Sequence, residues 1–290
     1  MDLDQGHITA NGLDIAYLEA GEGPLALCLH GFPDSAHTWR RLLPELAAAG
    51  YHAVAPWLRG YAPTEAPGDA SYQAGAVAAD ANALHEVLAG DGDAVIIGHD
   101  LGAIAAYPAV NHQPDRWRKA VTLAVPPLAA LGAGFLSYDQ LKRSWYIFFF
   151  QSPIAEMAVA ADDFAFLDRL WADWSPGFDG RADLAPVKDA LRDPANLTAA
   201  LAFYRTSFGS GPHDPAFDAI EATAGQPMAK PTLYLHGVQD GCLGSEVVAG
   251  AEAHLPAPGS RMEIVPDAGH FLHLEKPEIV NRLIVDFLQA

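Results

Sequence analysis

Asp100 stands in a pattern of residues that suits a catalytic nucleophile. In "VIIGHDLGAIAA", residues 95–106, it lies between two glycines, after a short apolar run and before an apolar, helix-like stretch. Glycines on both sides allow a sharp strand-to-helix turn whose central residue has a strained backbone. Such a turn lifts the central side chain above the sheet and directs the next backbone N–H, that of Leu101, at the reacting oxygen. An aspartate that only caps the helix is the structural alternative.

Three further segments supply the groups that a nucleophile needs. "LHGFPDS" leaves a strand through a glycine and exposes the N–H of Phe32, a second donor for an oxyanion. "HGVQDG" places Asp240 just past a strand, and "DAGHFLHLEKPE" places His270 in the loop before the last helix. Nucleophile, acid and histidine thus follow one another in the order of a known type of catalytic triad. Four segments in this order, each at the carboxyl end of a strand, favour a catalytic site over four unrelated structural residues.

With these motifs the chain resembles the α/β hydrolases of the epoxide hydrolase and haloalkane dehalogenase type, whose nucleophile is an aspartate. The segments "HGFPDS", "GHDLG" and "GHFLHLEKPE" carry the resemblance, which extends over nearly the whole chain. It implies that Asp100 is the nucleophile, His270 the base and Asp240 its partner. It also implies that the backbone N–H groups of Phe32 and Leu101 form the oxyanion hole, and that the peptide bond after Phe32 is cis.

A carboxylate nucleophile indicates which kind of bond the protein breaks. A serine alkylated at carbon would become an ether, which water cannot release. An alkylated Asp100 is an ester, and its carbonyl accepts attack by water with His270 as the base. The aspartate therefore predicts substitution at a saturated carbon and leaves the leaving group open.

Two tyrosines favour an epoxide as the substrate. An opening epoxide leaves as an alkoxide, which needs an acid beside it, and in the epoxide hydrolases two cap tyrosines hold and protonate this oxygen. Tyr146 lies five residues before a glutamine and Tyr204 directly before an arginine, which matches the surroundings of those tyrosines. A phenol has an ordinary pKa of about 10, so it stays protonated at neutral pH and can donate. Aromatic side chains that only pack the cap are the structural alternative.

A haloalkane dehalogenase remains the first alternative. Such enzymes usually hold the halide with a tryptophan after the nucleophile, where this chain has Leu101, and the side chain of Phe32 offers no donor. Fluoroacetate dehalogenases carry arginines where this chain has Leu101 and Ile104, so that branch is closed. Leu101 also departs from most epoxide hydrolases and leaves the shape of the pocket open. The candidate pocket residues are Trp145, Phe149, Trp171, Trp174 and Phe203, of which the three tryptophans could still serve as halide donors.

The elements around these residues predict an α/β-hydrolase fold, with a mostly parallel central sheet, helices on both faces and a helical cap. Apolar strands alternate with helices up to residue 127 and again from residue 226, which is typical of a parallel sheet covered on both sides. Residues 128–225 hold no strand-like run and many aromatic residues. The predicted organisation is therefore core 1–127, helical cap 128–225 and core 226–290. A hairpin is predicted at Asn11-Gly12.

Composition bounds the partners. The chain of 290 residues has 36 acidic and 17 basic side chains and a formal net charge of −19, which disfavours nucleic acid and anionic membranes. Two cysteines make neither a disulfide framework nor a zinc spacing, and no metal or cofactor is predicted. The expected partners are a small apolar epoxide and water, in a cytoplasmic protein. The particular epoxide, its stereochemistry and the oligomeric state stay open, a homodimer included. The second alternative is a receptor of the same fold that binds a ligand without turnover.

Overall fold

The computed structural model describes residues 3–66 and 71–290. Within these residues the strands are β1 (Asp4–Ala10), β2 (Leu13–Ala20), β3 (Leu25–Leu29), β4 (His52–Pro56), β5 (Val95–His99), β6 (Lys119–Leu123), β7 (Thr232–Gly237) and β8 (Arg261–Val265). The helices are α1 (Leu43–Ala48), α2 (Ala74–Val87), α3 (Leu101–His112), α4 (Leu128–Phe135), α5 (Tyr138–Arg143), α6 (Trp145–Phe149), α7 (Ala155–Trp174), α8 (Arg181–Ala190), α9 (Pro194–Phe208), α10 (Asp218–Glu221), α11 (Ser245–Val248), α12 (Leu272–Glu275) and α13 (Pro277–Gln289).

The strands form one sheet in the order β1-β2-β4-β3-β5-β6-β7-β8. Pairs from β4 to β8 are parallel, while β1 pairs with β2 and β2 with β4 in antiparallel fashion. The turn between β1 and β2 is the predicted hairpin, because Asn11 and Gly12 both have positive φ, 48° and 78°. Such angles match the twist of the flanking strands in a two-residue turn. The mostly parallel α/β sheet is confirmed.

The strands nearest the site are apolar runs that are buried along their whole length. Every residue of β3, β5 and β7 is buried, as expected for parallel strands with helices on both faces. The strand order reverses after β4, so right-handed crossovers place α1 and α2 on opposite faces of the sheet. The last helix, α13, buries Val280, Ile284, Phe287 and Leu288, which form one stripe at helical spacing.

The chain between β6 and β7 is helical. It carries α4 to α10, and the structure describes this stretch without a strand. The backbone of α7 is left-handed at Asp162, Asp163 and Phe164, which divides that helix in two. The helices α6 and α9 of this stretch contact each other and bring two aromatic side chains over the carboxyl end of the sheet. The division into domains at residues 127 and 225 stays a prediction.

No helix within residues 3–66 and 71–290 is both long and apolar enough to cross a bilayer.

Candidate active site

The turn between β5 and α3 holds Asp100 in a strained conformation. Its φ of 52° and ψ of −117° lie in a region that non-glycine residues rarely adopt. The two flanking glycines make the turn possible. A Cβ on Gly98 would collide with the carbonyl group of Gly102, and a Cβ on Gly102 would collide with the carbonyl of Leu29. The sequence therefore needs glycine at both positions, because backbone fills the space that any side chain would take.

Three side chains that are far apart in the sequence meet at this turn. Asp100 follows β5, Asp240 lies in the loop after β7, and His270 lies in the loop after β8. His270 Nδ1 is 3.0 Å from Asp240 Oδ2, and His270 Nε2 is 3.5 Å from Asp100 Oδ2. All three side chains are buried. Parallel strands end at one edge of the sheet, so loops from β5, β7 and β8 converge there.

Backbone N–H groups hold both carboxylates of the group. The N–H of Phe32 donates to Asp100 Oδ1 at 2.8 Å. Leu101 is the first residue of α3, so its N–H is one of the free donors at a helix N-terminus. Asp240 Oδ1 accepts from the N–H groups of Cys242 and Leu243 at 2.8 and 2.9 Å. The peptide bond between Phe32 and the next residue, a proline, is cis, as the resemblance implies.

The charges of Asp100, Asp240 and His270 shift one another's pKa values. Burial lowers the pKa of His270, but the charge of Asp240 and the contact with Asp100 outweigh it and raise that pKa to about 10. Burial raises the pKa of both carboxyl groups, but the neighbouring His270 holds the pKa of Asp100 and that of Asp240 below their usual value. At neutral pH a protonated His270 therefore lies between two ionised carboxylates.

Tyr146 from α6 and Tyr204 from α9 lie close to the carboxylate. Both are buried, and their rings meet edge to face with centroids 5.6 Å apart. The hydroxyl of Tyr204 makes no hydrogen bond among the described residues, and that of Tyr146 is 3.4 Å from Cys242 Sγ. Burial, with the charge of Asp100 adding to it, raises the pKa of both phenols well above the usual value. Both phenols are therefore protonated and able to donate.

Asp100 and the two tyrosines line one small apolar cavity. It has a volume of about 80 Å³, and its wall includes Asp100, Leu101, Tyr146, Phe203 and Tyr204. Among the lining residues that the structure describes, Asp100 is the only charged one. Such a cavity favours an uncharged, mainly apolar ligand.

A family model described as the alpha/beta hydrolase fold matches residues 24–277. The chain belongs to the α/β-hydrolase family. AB hydrolase superfamily protein YfhM of Bacillus subtilis is 30% identical over 289 residues, covering 97% of this hydrolase and 96% of YfhM. Epoxide hydrolase 3 of Xenopus tropicalis is 32% identical over 293 residues, covering 96% of this chain and 76% of that protein. The crystal structure of epoxide hydrolase A from Mycobacterium thermoresistibile superposes with a TM-score of 0.82 at 26% identity, covering 100% and 99% of the two chains.

Of the five candidate pocket residues of this hydrolase, Phe203 lines the cavity. The other four, which are Trp145, Phe149, Trp171 and Trp174, are not among its described lining residues. Trp145 is half exposed and packs on Phe149 at the surface of the helical stretch. Trp171 donates its indole N–H to the Pro33 carbonyl at 3.0 Å. Trp174 is buried with its ring 5.0 Å from those of His270 and Tyr146. These positions depend on how the helices face each other, which residue type and local spacing do not indicate.

Cys242 and a cluster of three buried residues lie close to the site of this hydrolase but were not predicted from the sequence. Cys242 lines the cavity. Its position two residues after Asp240, in the same loop, is the sequence signal that could have indicated its place in the site. The cluster lies behind His270 and consists of Asp34, His99 and His273, whose potential ligand atoms lie within 4.8 Å of one another. His99 contacts the site directly, because its Nε2 lies 3.0 Å from the His270 carbonyl oxygen and donates to it.

Proposed function

We propose that this hydrolase converts an epoxide to a vicinal diol through a covalent alkyl ester on Asp100. The observation that carries the proposal is the pair of buried phenols, Tyr146 and Tyr204, in the same apolar cavity as the Asp100 carboxylate. The carboxylate can attack a saturated carbon, and the phenols can give a proton to the oxygen that leaves. The similarity to proteins named epoxide hydrolases supports the same reaction class.

In the first step Asp100 Oδ2 attacks a ring carbon, and the bond between this carbon and the ring oxygen breaks. Asp100 Oδ1 is engaged by the N–H of Phe32, so Oδ2 is the oxygen available for attack. The ring oxygen takes a proton from Tyr146 or Tyr204 and becomes a hydroxyl. An apolar wall strengthens these interactions because water does not screen them. The product of this step is an ester that retains the hydroxyl.

In the second step water attacks the ester carbonyl, with His270 as the base. The neutral ester carries no charge, so alkylation of Asp100 removes one of the two carboxylates that raise the pKa of His270. The histidine then gives up its proton more easily, and this proton restores the phenol that protonated the ring oxygen. The neutral imidazole can then accept a proton from water. Asp240 keeps the ring oriented through Nδ1. The N–H groups of Phe32 and Leu101 stabilise the oxyanion. On collapse the leaving oxygen takes the proton from His270 to give the diol, and the new Asp100 carboxyl group ionises and returns a proton to His270.

The contacts of the tryptophans and of Leu101 favour an epoxide over a halide. A leaving halide needs N–H donors rather than an acid, and Leu101 supplies no side-chain donor. The indole N–H of Trp171 is already used by the Pro33 carbonyl, and Trp145 is half exposed away from the cavity. Trp174 is buried but is not among the described residues that line the cavity. Protonated phenols are the donors at hand, and they suit an alkoxide.

The test is a single turnover with excess enzyme in heavy-oxygen water, using styrene oxide, an aliphatic epoxide and a bromoalkane. We expect the label in the carboxylate of Asp100, because water attacks the ester carbonyl. A label found only in the diol would mean direct attack of water on the epoxide. Faster release of bromide than of diol would assign a dehalogenase, and binding without any turnover would assign a receptor.

A His270→Gln variant separates the two steps. We expect alkylation to continue and hydrolysis to stop, so that the ester accumulates and the protein mass increases by the mass of the substrate. Turnover at the wild-type rate would show that His270 has a structural role instead.

A further inference from the structure

The cavity holds a cysteine that the proposed reaction does not use. Cys242 is buried in the loop after β7, where its N–H donates to Asp240 Oδ1 at 2.8 Å. Its side chain lines the same cavity as Asp100, with Sγ 3.4 Å from the hydroxyl of Tyr146. Burial, together with the charges of Asp240 and Asp100, raises the pKa of the thiol well above its usual value. The thiol is therefore protonated and is a poor nucleophile by itself.

Two other side chains that could bind a metal ion lie close to the thiol. Cys242 Sγ, a carboxylate oxygen of Asp100 and a ring nitrogen of His270 all lie within 4.8 Å of one another. His270 Nε2 is fully buried and makes no hydrogen bond among the described residues. It lies 3.5 Å from Asp100 Oδ2. The carboxylate and the thiol form part of the cavity wall, and the ring nitrogen lies directly beside the carboxylate.

The three donors are those of a zinc site. Zinc bonds to cysteine sulfur, histidine nitrogen and carboxylate oxygen at about 2.0–2.3 Å, which places tetrahedral donors roughly 3.3–3.8 Å apart. The separation of 3.5 Å between His270 Nε2 and Asp100 Oδ2 already fits. The sulfur lies within 4.8 Å of the other two atoms, so it needs to approach them by at most roughly 1.5 Å, and three protein ligands leave the fourth position to water.

We propose that Asp100, Cys242 and His270 bind a thiophilic divalent cation, with Zn²⁺ as the fitting ion, and that the bound ion inhibits the enzyme. Coordination replaces two protons, one on the thiol of Cys242 and one on the imidazole of His270, and both go to solvent. The ion occupies the nucleophile and the base together, so it competes with any substrate of Asp100. This inference does not depend on whether the leaving group is an alkoxide or a halide.

The second group of ligand-type residues is less suited to an ion from solution. Asp34, His99 and His273 are also buried, and each has an atom without a hydrogen-bond partner. None of the three is among the described residues that line the cavity, whereas in the first cluster His270 alone is not. Cys242 and Asp100, by contrast, form part of the cavity wall.

The test measures binding without turnover, on the full chain. Wild type is dialysed against zinc chloride and analysed for metal content, and a parallel sample is titrated with cadmium chloride to follow the ultraviolet sulfur-to-cadmium charge-transfer band. The variants are Cys242→Ser and Cys242→Ala, and the matched control is Cys28→Ala, because Cys28 is buried in β3 away from the cavity. Circular dichroism shows which variants fold.

We expect wild type and Cys28→Ala to bind one Zn²⁺ per chain and to show the band. Both Cys242 variants should lose the band and bind zinc roughly tenfold more weakly or worse, since even an outer-shell residue changes metal affinity by that factor. In an activity assay zinc should inhibit wild type competitively. A wild type that binds no zinc, a band that survives in Cys242→Ser, or a band lost in Cys28→Ala would each overturn the proposal. Because binding is read directly, these outcomes stand even if no epoxide is turned over.

Discussion

At the level of single residues, the proposed mechanism depends most on the protonation of His270. Its ring contacts Asp240 through Nδ1 and faces Asp100 through Nε2, so it feels two negative charges in a buried place. In the proposed mechanism His270 is therefore protonated while Asp100 is ionised. It loses its proton more easily once Asp100 has become an ester, because one of the two charges is then gone.

The first prediction concerns the pH dependence of stability. The pKa of His270 is raised from 6.5 to about 10 in the folded protein, so the folded state holds a proton that the unfolded chain loses between these values. The contribution of His270 to the free energy of unfolding is therefore complete below pH 6.5 and is lost as the pH rises to about 10. Urea unfolding of wild type and His270→Gln across this range should show the difference between them falling with pH.

Asp240→Asn tests the cause of this trend. It removes the carboxylate that most strongly raises the pKa of His270, so the fall in stability should move to lower pH and become smaller. A difference between wild type and His270→Gln that stays constant across the range would contradict the assigned protonation.

The second prediction concerns the phenols. A positioned general acid contributes roughly 10²–10⁴-fold to the rate. Tyr146→Phe and Tyr204→Phe should each lose part of this factor in the alkylation step, and the double variant nearly all of it, because both phenols serve one oxygen. Single-turnover measurement should show slower ester formation with an unchanged rate of ester hydrolysis, which needs His270 and the backbone donors.

Tyr107→Phe is the matched control for the phenols. Its hydroxyl donates to the Val125 carbonyl at 2.7 Å, and it is buried outside the set of described residues that line the cavity. We expect Tyr107→Phe to retain its alkylation rate. Full epoxide turnover by the double variant would remove the tyrosines from the mechanism.

At the scale of elements, the turn between β5 and α3 depends on how closely three backbone segments approach. β5 lies beside β3 in the sheet, and the start of α3 rests on the carbonyl groups at the end of β3. The strained φ of Asp100 persists because these contacts leave no room for relaxation.

The third prediction is that Gly98→Ala distorts this turn. Its Cβ would collide with the Gly102 carbonyl, which belongs to backbone that cannot move aside, so we expect a loss of about 1–3 kcal/mol in the free energy of unfolding together with loss of activity. Gly132→Ala in α4 is the matched control, because nothing lies within 4 Å of its Cβ. An alanine there should stabilise the helix by roughly 0.5–1 kcal/mol. Equal behaviour of the two variants in thermal unfolding would contradict the role of close approach.

On the scale of the molecule, a buried ion pair connects segments of the first half of the chain that are far apart in the sequence. Arg59, in the loop after β4, contacts Asp80 of α2 through Nε and a terminal nitrogen, both at 2.6 Å. Asn11 in the β1–β2 turn donates to the same carboxylate at 2.8 Å, and Arg59 donates to the Ser71 carbonyl. Both charged side chains are buried, so each depends on the other for its compensation.

The fourth prediction is that Asp80→Asn destabilises the protein by about 3–5 kcal/mol, because it leaves the Arg59 charge buried without its partner. Glu86→Gln is the control on the same helix. Glu86 pairs with Arg116 at 3.0 Å with its side chain 71% exposed, and an exposed pair contributes less than about 1 kcal/mol. Urea unfolding at one pH compares the two. A loss for Asp80→Asn no larger than that for Glu86→Gln would show that the buried pair is not needed.

The elements and the order of the chemical groups could be predicted from signals along the chain. Glycines around Asp100, the Asn11-Gly12 hairpin and the apolar strands are local signals, because backbone conformation and burial act on neighbouring residues. The order of Asp100, Asp240 and His270 predicted that they meet, since parallel strands end at one edge of the sheet. Packing between distant parts of the chain places Phe203 and Cys242 on the cavity wall with Asp100. It also brings Asp34, His99 and His273 together beside His270. Those contacts depend on how helices and loops from distant parts of the chain pack, and no spacing along the sequence encodes that geometry.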